Sequence, residues 1–162
     1  MPNSKLAIPA IAICGLLQIH SPQPASAEQV VWFGNRSEDG ASLVYGTPNS
    51  GYGKIAFSCE AGEDDVHFVY EHKPIRPEEG VQVEVFLAAG GVEIAIPTTG
   101  GRLEIDDAFL LEGQTKLDDN LRKILTAGGQ LIVTVEDGAE EFPLDGAAEA
   151  AKHLLQVCSP NG

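Results

Sequence analysis

The chain has 162 residues, with 24 acidic and only 10 basic side chains, so its formal net charge at pH 7 is −14. This length suits one domain with a hydrophobic core of its own. A strongly acidic domain without a basic cluster is repelled by a phosphate backbone, and nucleic acid is therefore excluded as an expected partner.

Residues 1–27 have the organisation of a secretory signal. Lys5 follows the amino terminus, residues 6–19 ("LAIPAIAICGLLQI") form an apolar run, and the "ASA" of residues 25–27 is a small-residue cleavage site. The apolar run is too short to span a bilayer. We therefore expect a periplasmic or secreted mature chain, residues 28–162, with no stable membrane insertion; loss of Lys5 takes the net charge from −14 to −15.

Cys14 leaves a second interpretation of this leader open, a lipoprotein whose mature chain begins at that cysteine. Residues 11–13 lack the small side chain that such processing requires just ahead of the cysteine, and apolar sequence continues beyond it. We therefore favour cleavage after Ala27, which discards Cys14.

Most of the remaining chain alternates apolar and polar residues with a period of two, which is typical of half-buried strands. The stretches with this pattern are 29–34, 41–46, 54–60, 66–72, 81–87, 92–96, 101–106 and 130–136. Turn-forming Gly, Pro, Asn and Asp residues separate them, whereas βαβ units would need a helix between successive strands. The pattern predicts a mainly β single domain, residues 28–162, built as an antiparallel sandwich or barrel.

Two segments have helical spacing instead. In residues 116–129 ("KLDDNLRKILTAGG") the apolar residues recur at helical intervals, acids occupy the first turn, and a Gly-Gly pair follows as a stop. In the last segment Asp145 is the predicted N-cap. The stripe predicted to be buried there consists of Ala148, Ala151, Leu155 and Cys158.

The mature chain keeps two cysteines, Cys59 on the inward face of a predicted strand and Cys158 on the buried stripe of the last helix. In an oxidising compartment such a pair favours a disulfide, which we expect to join the C-terminal helix to the sheet; two free thiols or intermolecular bonds are the alternatives. Closing a loop of roughly 100 residues stabilises a chain by about 4 to 5 kcal/mol in the chain-entropy model. A catalytic thiol is disfavoured, because His153 lies on a different face of the same helix.

Motifs for the commonest enzyme classes are missing from the sequence. There is no G-x-S-x-G, P-loop, dinucleotide fingerprint, H-E-x-x-H or C-x-x-C, and we expect no catalytic residues of these types and no cofactor. The nearest approach to a metal site is His67 and Glu71 beside the acidic turn of residues 60–65. Strand residues four apart are separated by more than about 12 Å at the backbone, so we expect no bound metal.

An active site assembled from distant residues is the alternative. Asp106 and Asp107 follow a predicted strand without an evident structural role, and a small periplasmic hydrolase would use such carboxylates with His67 or His72. A second alternative is an acidic inhibitor of a cationic secreted enzyme, suggested by the net charge.

Two loops carry residue types suited to recognition. Residues 45–53 ("YGTPNSGYG") frame two tyrosines with glycines, and tyrosine rings provide flat amphipathic contact surface; a well-packed connecting turn is the alternative. The predicted binding residues are Tyr45, Asn49 and Tyr52 in this loop, with Glu63, Asp64 and Asp65 in the acidic turn.

The order of Trp32, "ASLVYGTP", "IAFSCE" and "FPLDGAAEAAKHLLQVC" resembles small exported proteins of Gram-negative bacteria. The broad group contains invasion-associated locus B type proteins and type VI secretion-associated accessory proteins of the periplasm. Phe142, Leu144 and Gly146 carry the late motif, and residues 75–135 contribute little to the resemblance. It implies a periplasmic β-rich domain with a Cys59–Cys158 bridge, and it supplies no catalytic residues.

These observations together predict a function without catalysis. We expect an exported accessory or binding protein of the cell envelope, recognising another protein or a cell-envelope component. The sequence leaves the oligomeric state open.

Overall fold

A computed structural model of the chain describes residues 29–104 and 107–159. The predicted leader, with Cys14, lies outside the described residues, as does Asp106. In chain order the elements are β1 (Val31–Arg36), β2 (Gly40–Gly46), β3 (Gly53–Glu60), β4 (Asp65–His72), β5 (Gln82–Ala89), β6 (Val92–Leu103), β7 (Ala108–Lys116), α1 (Asp119–Leu125), β8 (Gln130–Val135), β9 (Gly138–Pro143), α2 (Ala147–Ala150) and α3 (Lys152–Val157).

The strands form one nine-stranded sheet in the order β1-β2-β3-β4-β7-β6-β5-β8-β9. All neighbouring strands are antiparallel. Strands β5, β6 and β7 follow one another through short turns, and β4 lies beside β7 although a long connection leads from it to β5. This arrangement is a Greek key, and it makes the β4–β5 connection cross one end of the sheet.

The sheet curls into a half-barrel that brings its first and last strands together. Trp32 on β1 donates a hydrogen bond from its indole nitrogen to the backbone oxygen of Pro143 on β9, at 2.7 Å. The ring of Tyr45 meets that of Phe142 edge to face, with centroids 5.4 Å apart. The mainly β, antiparallel, barrel-like fold predicted from the alternation is therefore confirmed.

The observed strands differ from the predicted ones in three places. The stretch predicted at residues 101–106 begins inside β6, which runs on through the predicted turn "TTGG" to Leu103, and its last two residues lie outside the described part of the chain. Strands β7 and β9 were not predicted: Leu110 interrupts the alternation of Phe109 and Leu111, and β9 contains Glu140 and Glu141 where a turn was expected.

Helix α1 matches its prediction. Asp118 is the N-cap and accepts a hydrogen bond from the backbone N–H of Leu121 at 2.9 Å, which satisfies one of the free donors at the helix start. The side chains of Leu121, Ile124 and Leu125 are fully buried. The helix therefore covers one end of the half-barrel with its apolar face.

The C-terminal helix is different from the prediction. It consists of two short helices, α2 and α3, and its N-cap is Gly146 at a φ of 79° rather than Asp145. The buried stripe is Ala147, Ala151, Leu154 and Cys158. Ala148 is exposed and Leu155 only half buried, because α2 packs against β1, where the backbone of Ala150 lies directly over Gly34.

The predicted disulfide is present and fixes α3 to the sheet. Cys59 on β3 and Cys158 are bonded, with Cα atoms 5.7 Å apart and a sequence separation of 99 residues. Arg122 of α1 adds a second link at this end, because its guanidinium donates hydrogen bonds to the Leu155 carbonyl at 3.2 Å and to the Ser159 hydroxyl at 2.6 Å. We call this helix-covered end the closed end.

Candidate functional site

The opposite end of the half-barrel is crossed by residues 73–81, the connection from β4 to β5, which we call the crossing segment. Strands β4 and β8 end here, and β5 and β7 begin here. In the described part of the chain no helix covers this end. We call it the open end.

Between the crossing segment and the inner face of the sheet lies a cleft of about 460 Å³, which we call the apolar cleft. Its volume is within the range of ligand-binding pockets. Its apolar lining consists of Ile75, Val81, Val83, Phe109, Leu111 and Val135. Ile75 is 79% exposed, although it belongs to the lining. The cleft therefore presents an unfilled apolar surface to solvent.

Gly100 on β6 lies behind two residues of the cleft lining, Phe109 and Val81. A Cβ at this position would approach the ring of Phe109 to 2.6 Å and the side chain of Val81 to 2.7 Å. Because glycine has no side chain, both residues lie close against the strand, and the space above them stays open.

The crossing segment is held down by Asp137, in the turn between β8 and β9. One of its carboxylate oxygens accepts a hydrogen bond from the backbone N–H of Ile75 at 3.1 Å, and the other lies 2.8 Å from Nε2 of His72. The Ile75 amide and, more weakly, His72 lower the pKa of Asp137 despite the partial desolvation of the carboxyl group. The carboxylate is therefore ionised and joins three parts of the open end.

The tautomer of His72 follows from these contacts. Because Asp137 is an acceptor, Nε2 must carry the proton that bonds to it. Nδ1 is buried and has no hydrogen-bond partner within the described residues. The ring stacks on Tyr70, with centroids 5.7 Å apart.

Below His72, three side chains form a polar network inside the half-barrel. The carboxylate oxygen Oε1 of Glu140 accepts hydrogen bonds from the Tyr70 hydroxyl at 2.7 Å and from the Lys54 ammonium at 3.1 Å. Burial opposes ionisation of Glu140, but these two donors outweigh it and lower the pKa of the carboxyl group. Burial and the hydrogen bond to Glu140 raise the pKa of Tyr70 well above its ordinary value.

A β-bulge places Lys54 in this network. In the pairing of β2 with β3, Tyr45 lies opposite Ile55 and Gly46 opposite Gly53, so Lys54 is the unpaired extra residue. A bulge redirects the side chain that it adds. Lys54 is buried and its ammonium lies 5.2 Å from the centre of the Tyr70 ring, although strict alternation with Ile55 predicts an outward position.

A second cleft, of about 380 Å³, lies on the other side of the crossing segment. Tyr52, Lys73 and Asp107 belong to its lining, together with His72, which contacts both clefts. Asp107 forms an ion pair with Arg102. The predicted hydrolytic residues His72 and Asp107 thus share a cleft, whereas Asp106 lies outside the described residues.

The residues of the predicted recognition loop differ in their exposure: one is packed against the sheet and two are exposed. Tyr45 is half buried, with its ring centroid 5.1 Å from that of Trp32. Asn49, at a φ of 64°, is exposed, and so is Tyr52, which lines the second cleft. Partial burial and the nearby carboxylates of Glu71 and Glu140 raise the pKa of Tyr52. Tyr52 is thus the tyrosine of this loop that is accessible.

The predicted acidic turn lies elsewhere. Lys116 forms ion pairs with Asp64 at 2.8 Å and with Asp65 at 2.9 Å, while Glu63 is exposed. The contact with Lys116 lowers the pKa of Asp64. Strand β3 separates this turn from residues 45–53, which we call the tyrosine loop. Eight residues in extended conformation span roughly 26 Å. The two predicted sets of binding residues are therefore not brought together.

Sequence reasoning missed the apolar cleft and the polar network. One available signal was the position of His72, which lies two residues after Tyr70 and four after Phe68 and therefore on the same inward face of the strand. No comparable signal marked Lys54, since a bulge changes its face, or Glu140, since β9 has no apolar alternation.

His67 remains on the outer face of β4, where its Nε2 lies 3.8 Å from a carboxylate oxygen of Glu112 on β7. Across residues 29–104 and 107–159, no three His, Cys, Asp or Glu side chains converge in a way that could hold a metal ion. None of the helices in these residues is long and apolar enough to cross a membrane.

Comparison of the chain with protein-family models, with curated proteins and with solved structures found no match. The resemblance to invasion-associated locus B type proteins therefore stays a prediction, and the function has to be argued from the site itself.

Proposed function

We propose that this chain is an exported binding protein without catalytic activity, periplasmic or secreted, which recognises a component of the cell envelope or another envelope protein through the open end of its half-barrel. The apolar cleft is the observation that carries this proposal. The Cys59–Cys158 disulfide indicates an oxidising compartment and supports export.

The cleft supports binding because the rest of the half-barrel interior is filled. Side chains of the inner face such as Leu43, Phe57 and Phe68 are fully buried. At the open end the side chains stop short of the crossing segment and leave about 460 Å³. A barrel whose mouth is not filled by its own side chains has room for one small ligand.

The polar groups around the cleft support recognition rather than chemistry. The Tyr70 hydroxyl is engaged by Glu140, and the raised pKa keeps it protonated at neutral pH. Nε2 of His72 is engaged by Asp137, and its Nδ1 is buried. A general base needs a free basic atom within reach of the substrate, and Tyr70 and His72 do not offer one.

A neutral apolar fluorophore tests whether the cleft binds. N-phenyl-1-naphthylamine becomes brighter when it leaves water for an apolar site, and we expect the protein purified after export to bind it. Val83→Trp fills the cleft and should weaken binding about tenfold or more, because it replaces the volume that the ligand would occupy. Ile132→Trp is the matched control, since Ile132 is 40% exposed on the outer face of β8. Folded wild-type protein that leaves the fluorophore dark would overturn the proposal.

The biological partner is then sought with the same pair of variants. Tagged mature protein is incubated with native envelope extract, and bound proteins and lipids are identified by mass spectrometry against a denatured bait. A partner retained by the wild type and by Ile132→Trp, but lost with Val83→Trp, uses the cleft. A partner retained by all three but lost with Asn49→Ala or Tyr52→Ala uses the tyrosine loop instead.

A second candidate function is a small hydrolase, which the shared cleft of His72 and Asp107 favours. The ion pair of Asp107 with Arg102 weakens it, because the carboxylate is already engaged by another side chain. Ester, amide and phosphoester substrates should be screened with the wild type and with Asp107→Asn. Turnover that Asp107→Asn abolishes in a folded protein would establish the hydrolase.

A further inference from the structure

Resting on the proposed function, we propose that the apolar cleft takes an amphipathic anion, a molecule with an aliphatic body on the cleft floor and a carboxylate or phosphate head bound by Arg76. The apolar lining of the cleft indicates the aliphatic body of the ligand, and the charges at the rim of the cleft indicate its anionic head.

The rim charges differ from those of the rest of the molecule. Most cations in the described chain are engaged: Lys54, Arg102, Lys116 and Lys152 form ion pairs, and Arg122 bonds to the last residues of the chain. Within the same residues, the cations with neither an ion pair nor a side-chain hydrogen bond are Arg36, Lys73, Arg76 and Lys123. Two of these four lie in the crossing segment, in a chain whose net charge is −14.

Arg76 is the one of this pair that lines the apolar cleft, while Lys73 lines the second cleft. A guanidinium group presents a planar set of donors that matches a carboxylate or a phosphate in a bidentate arrangement. Arg76 is exposed and has no ion-pair partner in the described chain, so this set is free for a ligand.

The acidic groups of the rim decide where the head lies. The carboxylate of Asp137 is engaged by Ile75 and His72. Glu136 is exposed at the turn of β8 and β9, belongs to the same lining and has no ion pair in the described residues. It repels an anion, so the head must lie on the side of the crossing segment.

The inference is tested by isothermal titration calorimetry of the exported protein with four probes that share a twelve-carbon chain and differ in the head. These are dodecanoate, dodecyl phosphate, dodecanol and dodecyltrimethylammonium, all below their micellar concentrations. We expect dodecanoate or dodecyl phosphate to bind about tenfold more tightly than dodecanol, since a charge-assisted bidentate contact adds to the same apolar burial. The ammonium probe should bind more weakly than dodecanol.

Two variants of the same segment separate a direct contact from a general charge effect. Arg76→Gln should reduce dodecanoate affinity to that of dodecanol, about a tenfold loss, whereas Lys73→Gln should change it by less than about threefold, because an exposed charge outside the cleft contributes little. Neither variant should change the affinity for dodecanol.

The outcomes distinguish the two proposals. If no probe binds to the folded protein, the cleft is no binding site and the proposed function fails with the inference. If dodecanol binds as tightly as the anions, or if the ammonium probe binds best, the cleft is a binding site but the anion is the wrong class. The better of dodecanoate and dodecyl phosphate identifies the head group.

Discussion

The closed and open ends of the half-barrel are built from the same strands but are stabilised differently. At the closed end Leu121, Ile124 and Leu154 are fully buried, and a disulfide and the Arg122 hydrogen bonds join the helices to each other and to the sheet. At the open end Ile75 is 79% exposed above an unfilled cleft. The closed end therefore supplies stability, and the open end is free to expose apolar surface.

The difference explains how a small domain tolerates an unfilled interior. Burial of apolar surface stabilises a fold by roughly 25 cal/mol for each Å². Apolar surface that stays in contact with water does not contribute this stabilisation. The disulfide and the packed helices compensate at the other end. Perturbing each end in turn tests this division.

The largest effect is expected from the disulfide. Replacing Cys59 and Cys158 together by alanine should lower the free energy of unfolding by about 4 kcal/mol, because the unfolded chain regains the entropy of a loop of about 100 residues. Urea denaturation measures this, with reduced wild-type protein as a control that keeps the side-chain volume. A loss below about 1 kcal/mol would show that the helices hold the closed end without the bridge.

Next in size is the contrast between two apolar truncations. Leu121→Ala at the closed end should cost about 3 kcal/mol through lost burial and a residual cavity, since Leu121 is fully buried. Ile75→Ala at the open end should change stability by less than about 0.5 kcal/mol while weakening fluorophore binding. Equal losses of stability in denaturant unfolding would contradict the division between the ends.

A smaller effect, with a pH signature, is expected from the polar network. Tyr70→Phe should cost about 1 to 2 kcal/mol, because Glu140 loses a donor inside the half-barrel. The folded-state pKa of Glu140 is depressed below its ordinary 4.5. Ionised Glu140 therefore stabilises the fold above that pH, and this contribution disappears as the pH falls through the folded-state pKa.

The pH dependence is measured against Glu140→Gln. The difference in unfolding free energy between the wild type and this variant should be largest near neutral pH and shrink below pH 4.5. Glu141→Gln is the matched control, since Glu141 is the exposed neighbour on the same strand. A difference that does not vary with pH would mean that ionised Glu140 does not stabilise the fold.

The smallest effect on global stability is expected from Asp137→Asn. The variant keeps the shape of the side chain but replaces a charged acceptor by a neutral one, so the hydrogen bond from the Ile75 amide weakens. Hydrogen exchange of that amide should become about tenfold faster, while amides of α1 are unchanged. Unchanged exchange at Ile75 would indicate that packing, and not Asp137, holds the crossing segment.

Much of the fold was predictable because burial on one face imposes a period. The alternation around Phe57, Phe68 and Val133 identified strands, and the helical spacing with acids in the first turn identified α1. The predictions failed where a local signal was weak or contradictory, as in β9 with its glutamates and in the last helix, where Gly146 and not Asp145 precedes the first turn.

The candidate site was hardly predictable, because its residues come from separate parts of the chain. Lys54, Tyr70 and Glu140 meet only when the curl of the sheet brings β9 over β3 and β4. The predicted contacts Tyr52 and Asp64 lie on loops at opposite ends of β3, which residue type alone does not reveal.

The class of fold, the two helical segments and the pairing of Cys59 with Cys158 could be predicted from the sequence alone, since periodicity and a pair of inward cysteines are local properties. The three-dimensional arrangement was needed to see which end of the half-barrel is closed, that Lys54 faces inward and that an apolar cleft remains beneath the crossing segment. The reason is physical: curl, strand order and a single bulge set the distances between remote residues, and no local pattern encodes those distances.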